Sequence, residues 1–356
     1  MQAGTLYRNV VWYLKAKKEF TKDGYAAASK NFNPNDLEKV DIKNKSFMIT
    51  GSNSGIGKAA AVEIAKKGGK VHMVCRSEER GRAAQQDVIT ESGSKEVIFH
   101  QLDMSLPRSI QRFAQTFLES GEKLDVLINN AGCMVNQREL TEDGLEKNFA
   151  TNVLGTHVLT TSLMPLLQQS QQPRVITVSS GGMYVEGLDP DDLQMEKRAP
   201  FFDGTQSYAK NKRQQVVMTE NYAKLYTSVH FSCMHPGWAD TPAVQTSMPD
   251  FYKEHRWSLR TPQQGADTIV WLAISDAALQ NKSGLFYQDR KAVSTHLPLA
   301  WTKYTPQVET KFMQKLSDFY DQFKNLPPSQ ISHQLKEFTL SCLHDQLGAV
   351  PGMMGN

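Results

Sequence analysis

The sequence lacks any run of about 18 apolar residues, the length that a membrane-spanning helix requires, so we predict no spanning segment. It also lacks the pattern of a secretory signal. The longest apolar stretch near the N-terminus runs only from Val10 to Leu14, and no small-residue cleavage site follows it. Together these absences predict a cytoplasmic protein.

Cysteine and excess charge are also sparse. The four cysteines lie far apart and form no C-x-x-C pair: Cys75, Cys133, Cys233 and Cys342. This spacing predicts reduced, mostly structural thiols in a reducing compartment. Forty Lys and Arg residues against 37 Asp and Glu leave a charge of only +3, so bulk charge predicts no nucleic-acid binding. The nine histidines are scattered without metal-ligand spacing, and we predict no metal site.

Residues 1–44 form an N-terminal extension with helical periodicity. Its apolar side chains share one face: Tyr7, Val10, Val11 and Leu14. Lys15, Lys17 and Lys18 cluster just beyond. Two interpretations remain open. Residues 5–20 form either a basic amphipathic helix at an intracellular membrane surface, or a surface helix that packs this apolar stripe on the main domain.

The chain after Ala300 has its own helical pattern. From Pro306 onwards, apolar residues recur on one side: Val308, Phe312, Leu316, Phe319 and Phe323. Leu326-Pro327-Pro328 ends this helix, and a second predicted helix carries four residues on one face: Ile331, Leu335, Phe338 and Cys342. Residues 301–356 contain nothing that resembles a catalytic motif. Packing on the body, partner binding and self-association all stay open for this extension.

Between these extensions, short apolar runs alternate with longer stretches of helical spacing. The runs predict strands that are covered on both faces: Phe47–Thr50, Val71–Cys75, Val97–Leu102, Leu124–Ile128, Val175–Val178, Val229–Cys233 and Leu285–Tyr287. Seven strands with helices between them predict an α/β fold, a doubly wound parallel sheet of the Rossmann type, within one domain over residues 45–300. Ligands of such sheets bind outside the carboxyl ends of the strands. Functional residues are therefore expected directly after each run.

A glycine-rich turn, T-G-S-N-S-G-I-G from Thr50 to Gly57, follows the first strand. Gly51 permits a tight turn, while Gly55 and Gly57 remove Cβ atoms where a pyrophosphate and a helix must come close. The backbone of Ser52 and Ile56 belongs to the same turn. The following helix N-terminus offers free N–H groups to a phosphate. This position after the first strand predicts a dinucleotide site.

The next strand ends extend this predicted site. Arg76 follows the second strand, where a cation would accept a 2′-phosphate, which favours NADP(H) over NAD(H). Asp103 follows the third strand and is a candidate acceptor for the adenine amino group. Asn130, Ala131 and Gly132 follow the fourth strand, where small residues let a cofactor lie against the backbone.

The residues predicted to carry the chemistry come later in the chain. Tyr208 and Lys212 lie four positions apart, on one face of a helix. A neighbouring ammonium favours a phenolate, so we expect Lys212 to lower the pKa of Tyr208, which then exchanges a proton with a carbonyl or alcohol oxygen. Ser180, at the end of the fifth strand, would hold that oxygen. Asn152, within a predicted helix over residues 148–163, would support a proton-conducting water.

With these motifs in order, the sequence resembles the short-chain dehydrogenases/reductases. The matching segments are T-G-S-N-S-G-I-G, N-N-A-G, the strand-end serines, Y-A-K-N-K, and H-P-G-W-A-D-T from His235 to Thr241, and they span roughly residues 45–297. Longer segments, including H-P-G-W-A-D-T-P and the N-terminal L-Y-R-N-V-V-W, resemble one vertebrate member in particular.

The resemblance implies a role for each matched residue. Asn152, Ser180, Tyr208 and Lys212 would form a catalytic tetrad, with Tyr208 as general acid/base, Ser180 holding the carbonyl and Asn152 anchoring a water. Lys212 would also bind the nicotinamide ribose together with Tyr208. Pro236, Gly237 and Thr241 would contact the nicotinamide end. Homo-oligomers are common in this family, so self-association is a further expectation.

The sequence departs from the family pattern between Ser180 and Tyr208. Twenty-seven residues separate them, about twice the gap that the resemblance implies. The inserted segment contains Asp189, Asp191 and Asp192, and we expect it to lengthen the wall of the substrate pocket. Five apolar side chains are candidates for lining that pocket: Met134, Met183, Phe201, Phe202 and Trp238. Ordinary core packing accounts for them equally well.

Two functions remain open from the sequence. The first is an NADP(H)-dependent oxidoreductase that transfers a hydride to or from a carbonyl or alcohol group of an apolar small molecule. The alternative is a nucleotide-binding protein of the same fold with little turnover, which serves as a membrane-associated structural or interaction protein. Both predict that the chain binds the cofactor, so only turnover separates them.

Overall fold

The structure, a computed structural model, describes residues 3–324 and contains one central sheet with helices on both faces. Each predicted apolar run forms a strand, and one further short strand follows: β1 (Ser46–Thr50), β2 (Lys70–Cys75), β3 (Val97–Gln101), β4 (Val126–Asn129), β5 (Arg174–Val178), β6 (His230–Met234), β7 (Leu285–Gln288) and β8 (Lys291–Ala292). The predicted α/β fold is confirmed. The sequence missed β8, because a two-residue strand has no apolar run.

The order of the strands creates a crevice at one edge of the sheet. The order is β3-β2-β1-β4-β5-β6-β7-β8, and all neighbouring pairs are parallel except β7 and β8. The chain runs outward from β1 to β3 and then returns to the other side of β1 as β4. The connections after β1 and β4 therefore leave the sheet in opposite directions, and ligands of this fold class bind at such a point.

Helices cover both faces of the sheet. They are α1 (Ala3–Glu19), α2 (Lys22–Ser29), α3 (Asn35–Glu38), α4 (Gly55–Lys66), α5 (Glu78–Ser92), α6 (Pro107–Glu119), α7 (Lys147–Phe149), α8 (Gly155–Leu167), α9 (Gly204–Leu225), α10 (Pro242–Ser247), α11 (Pro249–His255), α12 (Pro262–Ile274), α13 (Asp276–Leu279) and α14 (Pro306–Lys324). One apolar cluster joins α4, α5 and α12 to one sheet face, and a second joins α6, α8 and α9 to the other. Because both faces are buried, the strands read as continuous apolar runs.

The N-terminal helix α1 packs with a different face from the predicted one. Ala16 and Phe20 are buried, and the Trp12 indole N–H donates to the Gly181 carbonyl at 2.7 Å. Three residues of the predicted stripe remain exposed: Tyr7 at 42%, Val10 at 50% and Leu14 at 63%. Of the predicted stripe only Val11 packs against the body, so α1 packs mainly through the face that carries Trp12 and Ala16. No helix within residues 3–324 combines the length and apolarity needed to cross a bilayer.

The predicted helix after Pro306 is confirmed as α14. Phe312, Leu316 and Phe323 are buried against α6 and α8, in the same cluster that covers the sheet. Phe319 also contacts Phe149, with ring centroids 5.4 Å apart. This helix therefore extends the apolar core of the body. The second predicted helix, with Ile331, Leu335, Phe338 and Cys342, lies outside the described residues.

Candidate active site

The turn after β1 brings two predicted motifs into contact. Gly51 has a φ of +65°, and a Cβ atom there would lie 2.9 Å from the Cα atom of Ala131. The Asn130 side-chain amide donates to the carbonyls of Thr50 at 2.9 Å and Gly51 at 3.2 Å. A Cβ atom at Gly57 would lie 2.4 Å from the same amide nitrogen. The glycine turn and the N-N-A-G segment therefore form one continuous backbone surface.

The N-terminus of α4 leaves backbone donors without partners. Ser54 is its N-cap residue, and its side chain makes no capping hydrogen bond within the part of the chain that the structure describes. First-turn N–H groups, such as that of Ile56, are therefore open to an anion. The Ser52 hydroxyl is buried and donates to the Ile49 carbonyl at 3.0 Å. Only the backbone of Ser52 is thus free for the predicted nucleotide site.

Arg76 and Asp103 lie side by side at the ends of β2 and β3. The Arg76 side chain is 61% exposed, and its Nε atom is 3.9 Å from an Asp103 carboxylate oxygen, which is a loose ion pair. The other Asp103 oxygen accepts hydrogen bonds from the backbone and hydroxyl of Ser105, both at 2.8 Å. The Asp103 carboxylate is therefore fixed, while the Arg76 guanidinium has donors to spare for an anion.

The loop after β6 reaches the glycine turn. A Cβ atom at Gly55 would lie 3.0 Å from the Thr241 Cγ2 atom, so these two predicted cofactor residues touch. Thr241 also begins α10, because its hydroxyl accepts a hydrogen bond from the Val244 N–H at 3.3 Å. Pro236 and Gly237 precede it in the same loop. All three residues predicted for the nicotinamide end thus lie on the connection between β6 and α10.

Arg260 fixes this loop to the N-terminal helix, and the sequence analysis missed it. Its buried guanidinium pairs with both carboxylate oxygens of Asp289, at 2.6 and 2.9 Å. It also donates to the carbonyls of Pro236 at 3.2 Å, Phe20 at 3.1 Å and Glu19 at 2.7 Å. No motif marks an arginine of this kind, because its partners come from three distant parts of the chain.

Ser180 and Tyr208 meet despite the long insertion between them. Ser180 lies two residues after the end of β5, and its hydroxyl accepts a hydrogen bond from the Gly182 N–H at 3.2 Å. Tyr208 lies in the second turn of α9 and remains partly exposed. Burial raises the pKa of the Tyr208 phenol to about 12, and a hydrogen bond with Ser180 opposes the rise. Ser180 thus lies near enough to Tyr208 to affect the pKa of the phenol despite the insertion.

Lys212 lies beside Tyr208 but makes its hydrogen bonds elsewhere, and its effect on the pKa of Tyr208 stays a prediction. The Lys212 ammonium lies 5.2 Å from the centre of the Tyr208 ring. It donates instead to the carbonyl of Val178 at 2.8 Å and to the side-chain oxygen of Gln215 at 3.0 Å. Burial also lowers the pKa of Lys212 itself to about 8. Burial is therefore the largest influence on the pKa of both groups.

Asn152 lies in a π-helical turn, Ala150–Leu154, between α7 and α8, where the sequence predicted a continuous helix. Its side chain bridges Cys133 and Asn211: the oxygen accepts from the Cys133 N–H at 2.8 Å, and the nitrogen donates to the Asn211 side-chain oxygen at 3.1 Å. Its backbone carbonyl accepts from the Thr156 hydroxyl at 3.0 Å and from the Gln215 amide at 2.6 Å. The water expected at Asn152 stays a prediction.

Gly132 connects the cofactor motif to these residues. A Cβ atom at Gly132 would lie 3.3 Å from the Asn152 side-chain oxygen and 3.5 Å from the Lys212 ammonium nitrogen. The backbone that follows β4 therefore lies directly beside Asn152 and Lys212. The structure brings together the residues predicted from the turn after β1, the ends of β4 and β5, helix α9 and the loop after β6.

The candidate pocket residues fall into different environments. Met183 is completely buried in an apolar cluster, as the core-packing alternative predicts. Phe201 is 86% exposed. Met134, Phe202 and Trp238 are partly exposed, and Trp238 belongs to an aromatic cluster between α1 and α11.

The acidic part of the insertion contacts α14. Asp191 pairs with Lys311 at 2.5 Å, and Lys315 donates to the Pro190 carbonyl at 2.8 Å. Asp192 accepts from the Glu196 N–H at 2.7 Å and so closes a local turn. These contacts explain the acidic residues without assigning them to the pocket.

Three comparisons with known proteins agree with this architecture. The sequence profile of the short chain dehydrogenases matches residues 45–188. Dehydrogenase/reductase SDR family member 12 of Bos taurus is 55% identical over 319 residues, which cover 90% of this chain and 99% of that protein. It is the kind of vertebrate relative that the longer sequence segments indicated.

More distant relatives share the same fold. Human Retinol dehydrogenase 11 is 33% identical over 256 residues, which cover 70% of this chain and 79% of that protein. A short chain dehydrogenase from Escherichia coli CFT073, solved in complex with NADPH, is 22% identical, with a TM-score of 0.57 over 71% of this chain and 100% of that one. The chain therefore belongs to the short-chain dehydrogenase/reductase (SDR) family, whose members are oxidoreductases.

Proposed function

We propose that the protein is an NADP(H)-dependent oxidoreductase acting on a carbonyl or alcohol group of an apolar small molecule. The observation that carries this proposal is the meeting of Ser180 and Tyr208 beside Lys212, next to a turn that exposes backbone donors. These groups can hold an oxygen atom, transfer its proton and stabilise the charge that results.

The residues around the crevice fit a dinucleotide. Gly51 and Gly57 let the turn pack closely against Ala131 and Asn130, and a pyrophosphate would bind to the free backbone N–H groups at the N-terminus of α4. The backbone of Ser52, Gly55 and Ile56 would bind this pyrophosphate. Asn130, Ala131, Gly132, Pro236, Gly237 and Thr241 would border the nicotinamide half. When bound, NADP(H) supplies or accepts the hydride.

Arg76 supports the choice of NADP(H) over NAD(H). Its guanidinium is mostly exposed and only loosely paired with Asp103, so a 2′-phosphate could accept several of its hydrogen bonds. The solved E. coli relative binds NADPH, although at 22% identity it carries weight for the fold alone.

In the reducing direction, the side chains act on the substrate oxygen. Ser180 and Tyr208 donate hydrogen bonds to the carbonyl, and Tyr208 gives its proton to the oxygen as the hydride arrives at carbon. The raised pKa keeps the Tyr208 phenol protonated at neutral pH, so the resting protein is ready to act as an acid. The nearby Lys212 ammonium then stabilises the phenolate that remains.

We also propose that α1 contacts a membrane surface. Its outer face exposes Leu6 at 60%, Val10 at 50% and Leu14 at 63%. Leu299 and Trp301 are exposed at 66% and 69%, and Trp301 contacts Tyr7 of α1 with ring centroids 6.4 Å apart. Together with Lys17 and Lys18, this arrangement has the composition of an interfacial helix.

A panel of carbonyl compounds, with NADPH consumption as the readout, tests the proposed reaction. The Tyr208→Phe variant loses the proton donor and should turn over about 10²- to 10⁴-fold more slowly, with nearly unchanged affinity for NADPH. Tyr226→Phe, at the end of the same helix, is the matched control and should behave like the wild type.

Two results would contradict the proposal. Full turnover by Tyr208→Phe would refute the role of the phenol. A wild type that binds NADPH yet reduces none of the compounds would favour the alternative, a nucleotide-binding protein of this fold with little turnover.

A further inference from the structure

We infer that Gln215 is a positioning residue of this active site: its amide holds the Lys212 ammonium with a neutral partner and joins it to the Asn152 backbone. The inference rests on the proposed function and adds a residue to it. Gln215 lies on α9, three positions after Lys212, and is completely buried.

The hydrogen bonds of Gln215 define how its amide is oriented. Its oxygen accepts from the Lys212 ammonium at 3.0 Å, and its nitrogen donates to the Asn152 carbonyl at 2.6 Å. An ammonium can only donate and a carbonyl can only accept, so the reversed amide would lose both bonds. Gln215 therefore bridges helix α9 to the π-helical turn in one orientation.

This bridge links the position of the Lys212 ammonium to the Asn152 backbone. The Asn152 carbonyl accepts from the Gln215 amide at 2.6 Å and from the Thr156 hydroxyl at 3.0 Å. Removing the buried amide would leave Lys212 and Asn152 each without one hydrogen-bond partner, which costs free energy at both groups.

The neutral charge of the amide is its second contribution. Lys212 donates to two uncharged oxygens, the Val178 carbonyl and the Gln215 amide, so its positive charge is not cancelled by a carboxylate at either contact. The titratable groups that face it are the Tyr208 ring on its own helix, Cys133 after β4 and Cys233 on β6. Burial raises the pKa of both thiols, so they stay neutral. The full charge of Lys212 is thereby available to stabilise the Tyr208 phenolate.

The test compares Gln215→Glu with Gln215→Met. Glutamate keeps the size of the side chain but adds a negative charge beside Lys212 and removes the donor to Asn152. We expect kcat to fall about tenfold and the alkaline limb of the kcat/KM profile to move up by about one pH unit, because the phenolate loses stabilisation. Methionine removes both hydrogen bonds without adding charge. In Gln215→Met, kcat should therefore fall, while the alkaline limb of the kcat/KM profile should move much less than in Gln215→Glu.

Asn221→Asp is the matched control. It makes the same amide-to-carboxylate change on α9, more than two turns beyond Lys212, and should keep the wild-type pH profile. Thermal melting of every variant identifies those that are folded. Wild-type kcat and an unshifted profile in folded Gln215→Glu would overturn the inference.

A second measurement separates this inference from the proposed reaction. NMR of the protein with ¹³C-labelled lysine, assigned with Lys212→Met, reports the pKa of Lys212 without any turnover. Gln215→Glu should raise that pKa by about one unit or more, because an anion favours the ammonium. An unchanged Lys212 pKa would refute the pairing, whereas a wild type that reduces no carbonyl would refute only the proposed reaction.

Discussion

At the scale of single residues, the charge state of the site depends on burial more than on neighbouring charges. Tyr208 and Lys212 lie close enough for the ammonium to face the ring, yet burial raises the pKa of the phenol and lowers that of the amine. Both shifts favour neutral groups, as desolvation always does. The free protein is therefore prepared to donate a proton, and the phenolate becomes favourable only when the charge of Lys212 can act on it.

Arg76 determines the choice of nucleotide in our proposal. Arg76→Glu should weaken NADPH binding roughly 10- to 100-fold, because a charge-assisted hydrogen bond is replaced by repulsion of the 2′-phosphate. NADH affinity should rise or stay unchanged. Fluorescence titration with both nucleotides measures the change, and Arg80→Glu, another exposed arginine just beyond β2, serves as the control. Equal NADPH affinities in the wild type and Arg76→Glu would dismiss the role.

At the scale of elements, one face of α1 packs on the body of the protein and the opposite face is exposed. Trp12, Ala16 and Phe20 attach it to the loop that carries Ser180, and Arg260 attaches its C-terminal end to the Pro236 loop. The opposite face, with Leu6, Val10 and Leu14, stays bare. Deleting the helix would therefore disturb the active site together with any membrane contact, so point substitutions are needed to separate the two.

Replacing the outer face tests the membrane contact. The triple variant Leu6→Ser, Val10→Ser, Leu14→Ser should reduce co-sedimentation with anionic phosphatidylserine vesicles several-fold, because it removes the exposed apolar area. Its melting temperature should stay near that of the wild type, since none of the three side chains is buried. Undiminished sedimentation would show that α1 does not mediate the contact.

At the scale of the whole molecule, the core contains several histidines that fold in the neutral form. His72, His157 and His235 are buried, and burial lowers the pKa of each to about 4. In the unfolded chain they would titrate near pH 6.5. Between pH 6.5 and 4 the unfolded state therefore binds more protons, so the stability is fully present above this window and is lost as the pH falls through it.

Acid should accordingly lower the melting temperature. From pH 7.5 to 5, each of these histidines should cost at most about 2 kcal/mol of unfolding free energy, which corresponds to a fall of several degrees in total. His72→Phe should show a smaller fall, because one proton-binding site is gone while an aromatic ring still packs against Phe117. Calorimetry at both pH values makes the comparison, and a melting temperature that rises at pH 5 would contradict it.

The amino-acid sequence by itself determined the alternation of strands and helices, the glycine turn, the position of Ser180 after a strand and the shared helix of Tyr208 and Lys212. These features are local, because apolar runs, turn residues and a spacing of four depend only on residues that are close together in the sequence. Helical periodicity identifies an apolar face of the N-terminal helix but does not show which residues pack against it, so the buried face could not be predicted from the sequence.

Only the tertiary structure decided which face of α1 is buried, how Arg260 joins that helix to the Pro236 loop, and that the Gln215 amide donates a hydrogen bond to the Asn152 carbonyl. The partners in these contacts lie far apart in the chain, so no local sequence pattern predicts these contacts. The protonation of Tyr208 likewise depends on how much water the fold removes from around it. Desolvation is a property of the packed molecule, and the order of residues alone does not contain it.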